Sequence, residues 1–228
     1  MSDKNAQMSP VGKAPTAQES VLIALRDDIV SGRLRPGSQI VQDDLAREYG
    51  VSRVPLREAL KILEGEGQVT YYPHRGYFVT ELSVADLLEV YRIRQLLEAE
   101  AITCAMAEID DDDITYIAGL LDEVEVAGAA GDTVALTSAN RAFHFAIFEL
   151  ASQPRLTRLI RVLWDATDAY RAVYFRDSVN RDRVFHEHRA MLSALENRDA
   201  PALIALQEEH RSHSVDSVRG VLEAGLGD

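Results

Sequence analysis

A single cysteine, Cys104, is all that the 228 residues carry. No internal disulfide can form, and the chain fits a reducing, cytoplasmic compartment. No apolar run approaches the roughly 18–20 residues that a membrane helix needs, so no span is expected. The stretch from Met1 to Ser20 lacks an apolar segment and contains Pro10 and Pro15. Residues 1–16 therefore read as a disordered arm rather than a signal peptide. Positive charge is also scarce: the formal net charge is −13, which taken alone argues against nucleic-acid binding.

The distribution of charge reverses that argument. Residues 1–79 hold 10 Lys+Arg and 10 Asp+Glu, whereas residues 80–228 hold 14 and 27. Binding to DNA depends on local basic surface, and Arg33, Arg35, Arg53, Arg57, Lys61 and Arg75 all lie in the neutral part. An acidic second part is repelled from a duplex, which fixes the end that docks. The length suits two domains, expected at residues 17–80 and 83–225.

The organising stretch runs from Asp44 to Gly67. Leu45, Ala46 and Tyr49 recur at helical spacing, and Gly50 supplies the positive φ that ends a helix. Ser52 is a good N-cap, with Pro55 in the following first turn. Leu56, Ala59, Leu60 and Leu63 then form an i, i+3, i+4, i+7 stripe. Arg53, Arg57 and Lys61 follow an i, i+4, i+8 row, about 100° around the helix from it. One side packs and the flank beside it is cationic. A solvated surface helix also fits that pattern, but the neighbours favour DNA. Arg33-Leu34-Arg35-Pro36-Gly37-Ser38 is a basic turn. Gln68–Tyr72 and Tyr77–Thr80 read as strands joined by Pro73-His74-Arg75-Gly76, a turn with a cationic tip. Ile40 is expected to add a tiny third strand. A first helix through Val21, Leu25 and Ile29, ending near Gly32, completes a winged helix-turn-helix.

Gly50-Val51-Ser52-Arg53-Val54-Pro55-Leu56-Arg57-Glu58-Ala59-Leu60, with Arg75-Gly76-Tyr77-Phe78-Val79, resembles the DNA-binding domain of the GntR family of bacterial transcription regulators. Val54 stands where Thr is common before the proline. The resemblance implies an operator-binding surface of Arg33, Arg35, Ser52, Arg53, Arg57, Lys61, His74, Arg75 and Gly76. One recognition helix reads only a half-site, so a homodimer is expected.

From Ser83 onward only helical periodicity appears, beginning with the capping signal Ser83-Val84-Ala85-Asp86. Leu87, Val90, Tyr91, Leu97 and Ala101 mark a first helix. Asp110 to Asp113 cap a second; they lack the alternate spacing, glycine and terminal Glu of a calcium loop. A third spans about Thr133 to Ala151. A fourth runs from Pro154 to about Phe175, a fifth from about Arg181 to Leu195, and a last with Pro201 in its first turn to near Gly225. The expected class is mainly α, with an antiparallel bundle of six helices.

Asn140 and His144 share one face of the third bundle helix, while His188 and His210 lie on the fifth and sixth. Each taken alone is as compatible with a structural histidine as with a ligand, and His186 and His213 are left as exposed or hydrogen-bonded. Asn140-x3-His144 beside Phe143, Glu187-His188-Arg189 before Met191-Leu192, Asp199 ahead of His210, and Arg94 with Leu97-Glu98 resemble the FCD ligand-binding domain of the FadR subfamily. That resemblance implies a divalent metal, zinc with nickel or manganese as alternatives, held by Asn140, His144, His188 and His210. It also implies a small carboxylate effector, for which Arg94 is the candidate cation. Many members have Asp where this chain has Asn140, and Asn where it has Gln153. The expected function is an effector-controlled DNA-binding regulator and not an enzyme. A three-histidine hydrolase and a DNA-binding dimer with a purely structural bundle are the alternatives. Against the hydrolase, no general base or nucleophile motif accompanies the histidines.

Overall fold

The computed structural model describes residues 15–225, so the first fourteen positions of the expected arm lie outside the described residues. The chain begins with α1 (Ala17–Ser31), whose N-terminus is closed by a reciprocal capping box between Thr16 and Glu19. Gly32 ends it in the left-handed region at φ 80°. β1 (Gln39–Ile40), α2 (Gln42–Glu48), α3 (Arg53–Gly65), β2 (Val69–Tyr72) and β3 (Gly76–Val79) follow. The sheet has the order β1-β3-β2, with both pairs antiparallel. Ile40 therefore does complete the wing sheet, opposite Tyr77.

Gly50, at φ 66°, turns the chain between α2 and α3, and Val51 packs against the core behind it. Ser52 holds the N-cap position of α3, as expected, although its side chain makes no capping hydrogen bond. The stripe behaves as expected: Leu56, Ala59, Leu60 and Leu63 are fully buried against Val21, Leu25 and Ile29 of α1. Truncating one such leucine to alanine costs about 2–5 kcal/mol.

The second part is entirely helical: α4 (Val84–Glu108), α5 (Asp111–Ala130), α6 (Thr133–Glu149), α7 (Pro154–Ala166), α8 (Asp168–Phe175), α9 (Ser178–Glu196) and α10 (Ala200–Gly225). Asp110 and Asp113 form a capping box at the start of α5, so the four carboxylates are a helix cap. The expected fourth bundle helix is divided in two at Thr167, making seven segments of six. Thr167 has φ −103° and ψ 4°, and its hydroxyl lies within hydrogen-bonding distance of the carbonyls of Leu163 and Trp164. A hydroxyl bonded back onto the preceding turn bends or interrupts a helix.

α5 and α9 meet at Gly128, where an added Cβ would stand 2.1 Å from the Phe185 ring. α1 also packs against α6 and α8, so the DNA-binding unit rests directly on the bundle. The Tyr170 hydroxyl, within hydrogen-bonding reach of the backbone N–H and carbonyl of Ser83 and the Asp86 carboxylate, ties α8 to the start of α4.

Candidate functional site

The DNA-facing groove is built from α3 and the wing. Arg53, Arg57 and Lys61 from α3, Arg75 and Gly76 from the wing, and Tyr71 line one open depression. Arg53 is ion-paired with Asp43 of α2, while Arg57, Lys61 and Arg75 have no ion-pair partner among the described residues. The wing tip is held by Gln39, whose side-chain amide donates to the Arg75 carbonyl at 2.7 Å. The Arg75 guanidinium lies 5.0 Å from the Phe78 ring centre and 5.6 Å from that of Tyr72. His74 takes φ 64° in the turn.

Four residues assigned to this surface from the sequence do not line the groove: Arg33, Arg35, Ser52 and His74. For Arg33 the reason is plain. Its guanidinium pairs with Asp28 and with Glu48 at 2.7 Å, bracing α1 against α2.

Inside the bundle, α6, α9 and α10 bring His144, His188 and His210 together, with one ligand atom of each within 4.8 Å of the others. His144 Nε2 and His188 Nε2 are 3.1 Å apart. Nitrogens about 2.0–2.1 Å from a shared ion stand roughly 2.9–3.4 Å from each other, so the spacing suits two ligands of one metal. Both rings are fully buried. Burial, and then the neighbouring imidazoles, hold the pKa of His144 and His188 well below the ordinary value, which keeps them in the neutral, ligating form.

His210 is oriented from behind: its Nδ1 is 2.6 Å from Glu187 Oε2. That carboxylate keeps the proton on Nδ1 and leaves the Nε2 lone pair for the centre. Glu187 also contacts His213 Nδ1 at 2.6 Å, so the histidine left unassigned belongs to the support of this cluster. Burial raises the Glu187 pKa, but its hydrogen bonds to His210 and His213 outweigh this and keep it depressed. Asn140 is buried one turn before His144, with an Oδ1 that has no hydrogen-bond partner. An orphaned amide oxygen one turn from His144, together with the imidazoles of His144, His188 and His210, is a donor set that suits a divalent cation.

Beside the histidines is a cavity of about 20 Å³, whose walls include Arg94, Asn140, Arg171, His210, Arg211 and Tyr174. Such a space admits about one water-sized body. Three guanidiniums face it, and the carboxylates that hold them are Glu98 and Asp168. Glu98 is completely buried. It accepts from Arg94 Nε at 2.8 Å, Trp164 Nε1 at 2.7 Å, Gln207 Nε2 at 3.0 Å and Arg211 Nη1 at 2.6 Å. Burial raises its pKa, yet Arg94 and Arg211 prevail and leave it below the usual carboxylate value. Trp164, the only tryptophan, has the Arg94 and Arg171 guanidiniums each 4.2 Å from its ring centre. Burial pushes the Tyr174 phenol up to about 12, and its hydroxyl has no hydrogen-bond partner.

Arg94 thus both bonds Glu98 and faces the cavity. Arg171, Arg211 and Glu187 carry no role in the sequence reading. A signal existed on α10, where Leu203, Gln207, Arg211, Ser214 and Val218 form one buried row with polar residues in its middle.

Residues 17–79 match the bacterial regulatory proteins of the gntR family, and residues 89–213 match the FCD domain. The uncharacterized HTH-type transcriptional regulator YdhC of Bacillus subtilis is 27% identical over 202 residues, 88% of this chain and 90% of that protein. The HTH-type transcriptional regulator McbR of Escherichia coli is 31% identical over 140 residues, 61% of this chain and 63% of its own. The HTH-type transcriptional repressor GlaR of E. coli is 27% identical over 194 residues, 82% and 88% respectively. The solved structure of E. coli McbR/YncC superposes with a TM-score of 0.81 at 23% identity, covering 91% of this chain and 99% of that one. Among the described residues no helix is long and apolar enough to cross a membrane. A winged helix-turn-helix joined to an FCD bundle, matched in both parts, makes this chain a member of the GntR family of bacterial transcriptional regulators.

Proposed function

We propose that this regulator is controlled by a small carboxylate that binds in the bundle beside a divalent metal. The supporting observation is the meeting of three histidines, two buried and one part-buried, with a cavity faced by Arg94, Arg171 and Arg211; that cavity holds about one water as it stands, so a carboxylate enters by displacing the side chains that line it. Asn140, His144, His188 and His210 are the metal ligands in this reading, and the imidazoles favour zinc or nickel over manganese. The bound ion supplies positive charge and open coordination positions for an anion. The arginines recognise the rest of the carboxylate by charge-assisted, bidentate hydrogen bonds.

Operator DNA is bound by a homodimer, through Arg53, Arg57 and Lys61 on α3 and Arg75 and Gly76 on the wing. Arg35, Ser52 and His74 contribute from the groove's edges. Effector and operator favour different placements of the two domains, so each weakens the other. Repression is the sign that GlaR, named a repressor, favours. The test combines metal analysis of the purified protein with thermal melting and operator binding, each with and without two- to six-carbon carboxylates. Metal-free protein that gains no stability from zinc, nickel or manganese, and an operator affinity that no carboxylate changes, would refute it.

A further inference from the structure

Six charged side chains of alternating sign run from the cavity to the end of the recognition helix: Arg171, Asp168, Arg141, Asp165, Arg26 and Glu66. Their spacing alternates as well. Arg171 is closely paired with Asp168. The next contact, Asp168 to Arg141, is slack at 4.0 Å. Arg141 to Asp165 is tight at 2.5 Å, Asp165 to Arg26 slack at 3.6 Å, and Arg26 to Glu66 tight again at 2.6 Å. Glu66 is the residue that caps the C-terminus of α3. Arg26 belongs to α1, whereas Asp165, Asp168 and Arg171 belong to α7 and α8, so the line crosses from one domain to the other.

We infer that this row is a two-state relay, in which an anion at Arg171 re-pairs the charges and loosens Glu66 from Arg26. The inference rests on the proposed carboxylate site for its input. An anion on Arg171 competes with Asp168 for the guanidinium. Asp168 then draws on Arg141, Arg141 releases part of Asp165, and Asp165 draws on Arg26. The last tight pair, at the foot of α3, weakens. Every slack contact becomes tight and every tight one slack, the anion adding its charge at Arg171 while the six side chains keep theirs.

Two further observations fit a row able to re-pair. Arg26 Nε is buried without a hydrogen-bond partner, so that guanidinium retains unused capacity. A cavity of about 120 Å³ at the domain junction, lined by Arg26, Arg141, Asp165 and Asp168, gives the side chains room to move. Asp165, Asp168 and Arg171 are buried, where charges are poorly screened and a change of pairing is felt by the next member.

The experiment uses the full-length, zinc-loaded protein and a panel of oxalate, malate, citrate and benzoate. Trp164 fluorescence reports occupancy of the cavity, and operator titration with and without each acid reports coupling. Wild type is expected to change operator affinity about 5- to 150-fold with the acid that binds. Arg26→Gln and Asp165→Asn should bind that acid within about twofold of wild type, judged by Trp164. Their operator affinity should no longer respond to it. Arg26 is on the surface side of the row, so its variant keeps the test open if Asp165→Asn fails to fold. Coupling of wild-type size in folded Arg26→Gln overturns the relay while leaving the carboxylate site standing. No Trp164 response to any acid in wild type overturns the site, and the relay with it.

Discussion

Asn140 is the residue at which the centre is most open to adjustment. Its amide oxygen is a neutral donor, so it offsets none of the charge of a bound ion. Asn140→Asp is expected to tighten metal binding, because a carboxylate replaces a dipole, and to weaken the carboxylate effector, which meets less positive charge. Calorimetry on metal-stripped protein measures both; equal affinities in the two forms would place residue 140 outside the coordination sphere. His144 and His188 set a pH limit on the same centre. Their folded pKa values lie well below 6.5, so between those values the unfolded chain takes up more protons than the folded one. The stability of the metal-free protein is therefore complete above about pH 6.5 and is lost as the pH falls toward the folded values. His188→Leu should flatten the dependence of the melting temperature on pH in that interval, and an unaltered slope would contradict the burial argument.

At the scale of the element, α3 divides its functions cleanly by face. Leu60→Ala should lower stability by about 2–5 kcal/mol. Arg57→Ala should leave stability almost unchanged. If Arg57 reads a base, the substitution costs about 1–3 kcal/mol of operator binding and relaxes one position of the site. If it touches phosphate alone, affinity falls evenly and the salt slope drops by about one. Wild-type operator affinity would remove Arg57 from the interface. Much of this architecture was readable in advance, because Gly50, the leucine stripe and the capping residues Ser83 and Asp110 act on their immediate neighbours; the Thr16 cap was not, since it falls in the stretch read as an arm. The break at Thr167 was not. Periodicity continues through Leu163, Trp164 and Tyr170, and the interruption depends on a hydroxyl that also accepts from Arg94 at 3.0 Å and Arg171 at 3.3 Å. The pairing of Arg33 was hidden for the same reason: a cation in a basic turn does not announce that Asp28 and Glu48 will hold it.

Across the whole molecule, the two units meet where the charged row crosses, and the histidine cluster is gathered from α6, α9 and α10. Sequence could place Asn140 and His144 together, one turn apart, but joining them to His188 and His210 required the resemblance to a family or the fold itself. Metal that bridges three helices stabilises only the folded chain. Saturating zinc at a hundred times its dissociation constant should therefore add about 2.7 kcal/mol to the stability of the full-length protein. His144→Ala should remove that gain while operator binding in the absence of effector persists. Loss of operator binding in a folded His144→Ala protein would show that the domains are not functionally separable.

Gly128 lines neither the α3–wing groove nor the cavity, yet it decides how near α5 and α9 can stand. Any larger residue must evict the Phe185 ring, which sits on α9 three positions before His188. In a genetic selection for alleles that repress but no longer answer the inducer, codon 128 should therefore recur beside the ligand codons. Its second-site suppressors should fall at codon 185, where a smaller side chain makes the space that the glycine once left.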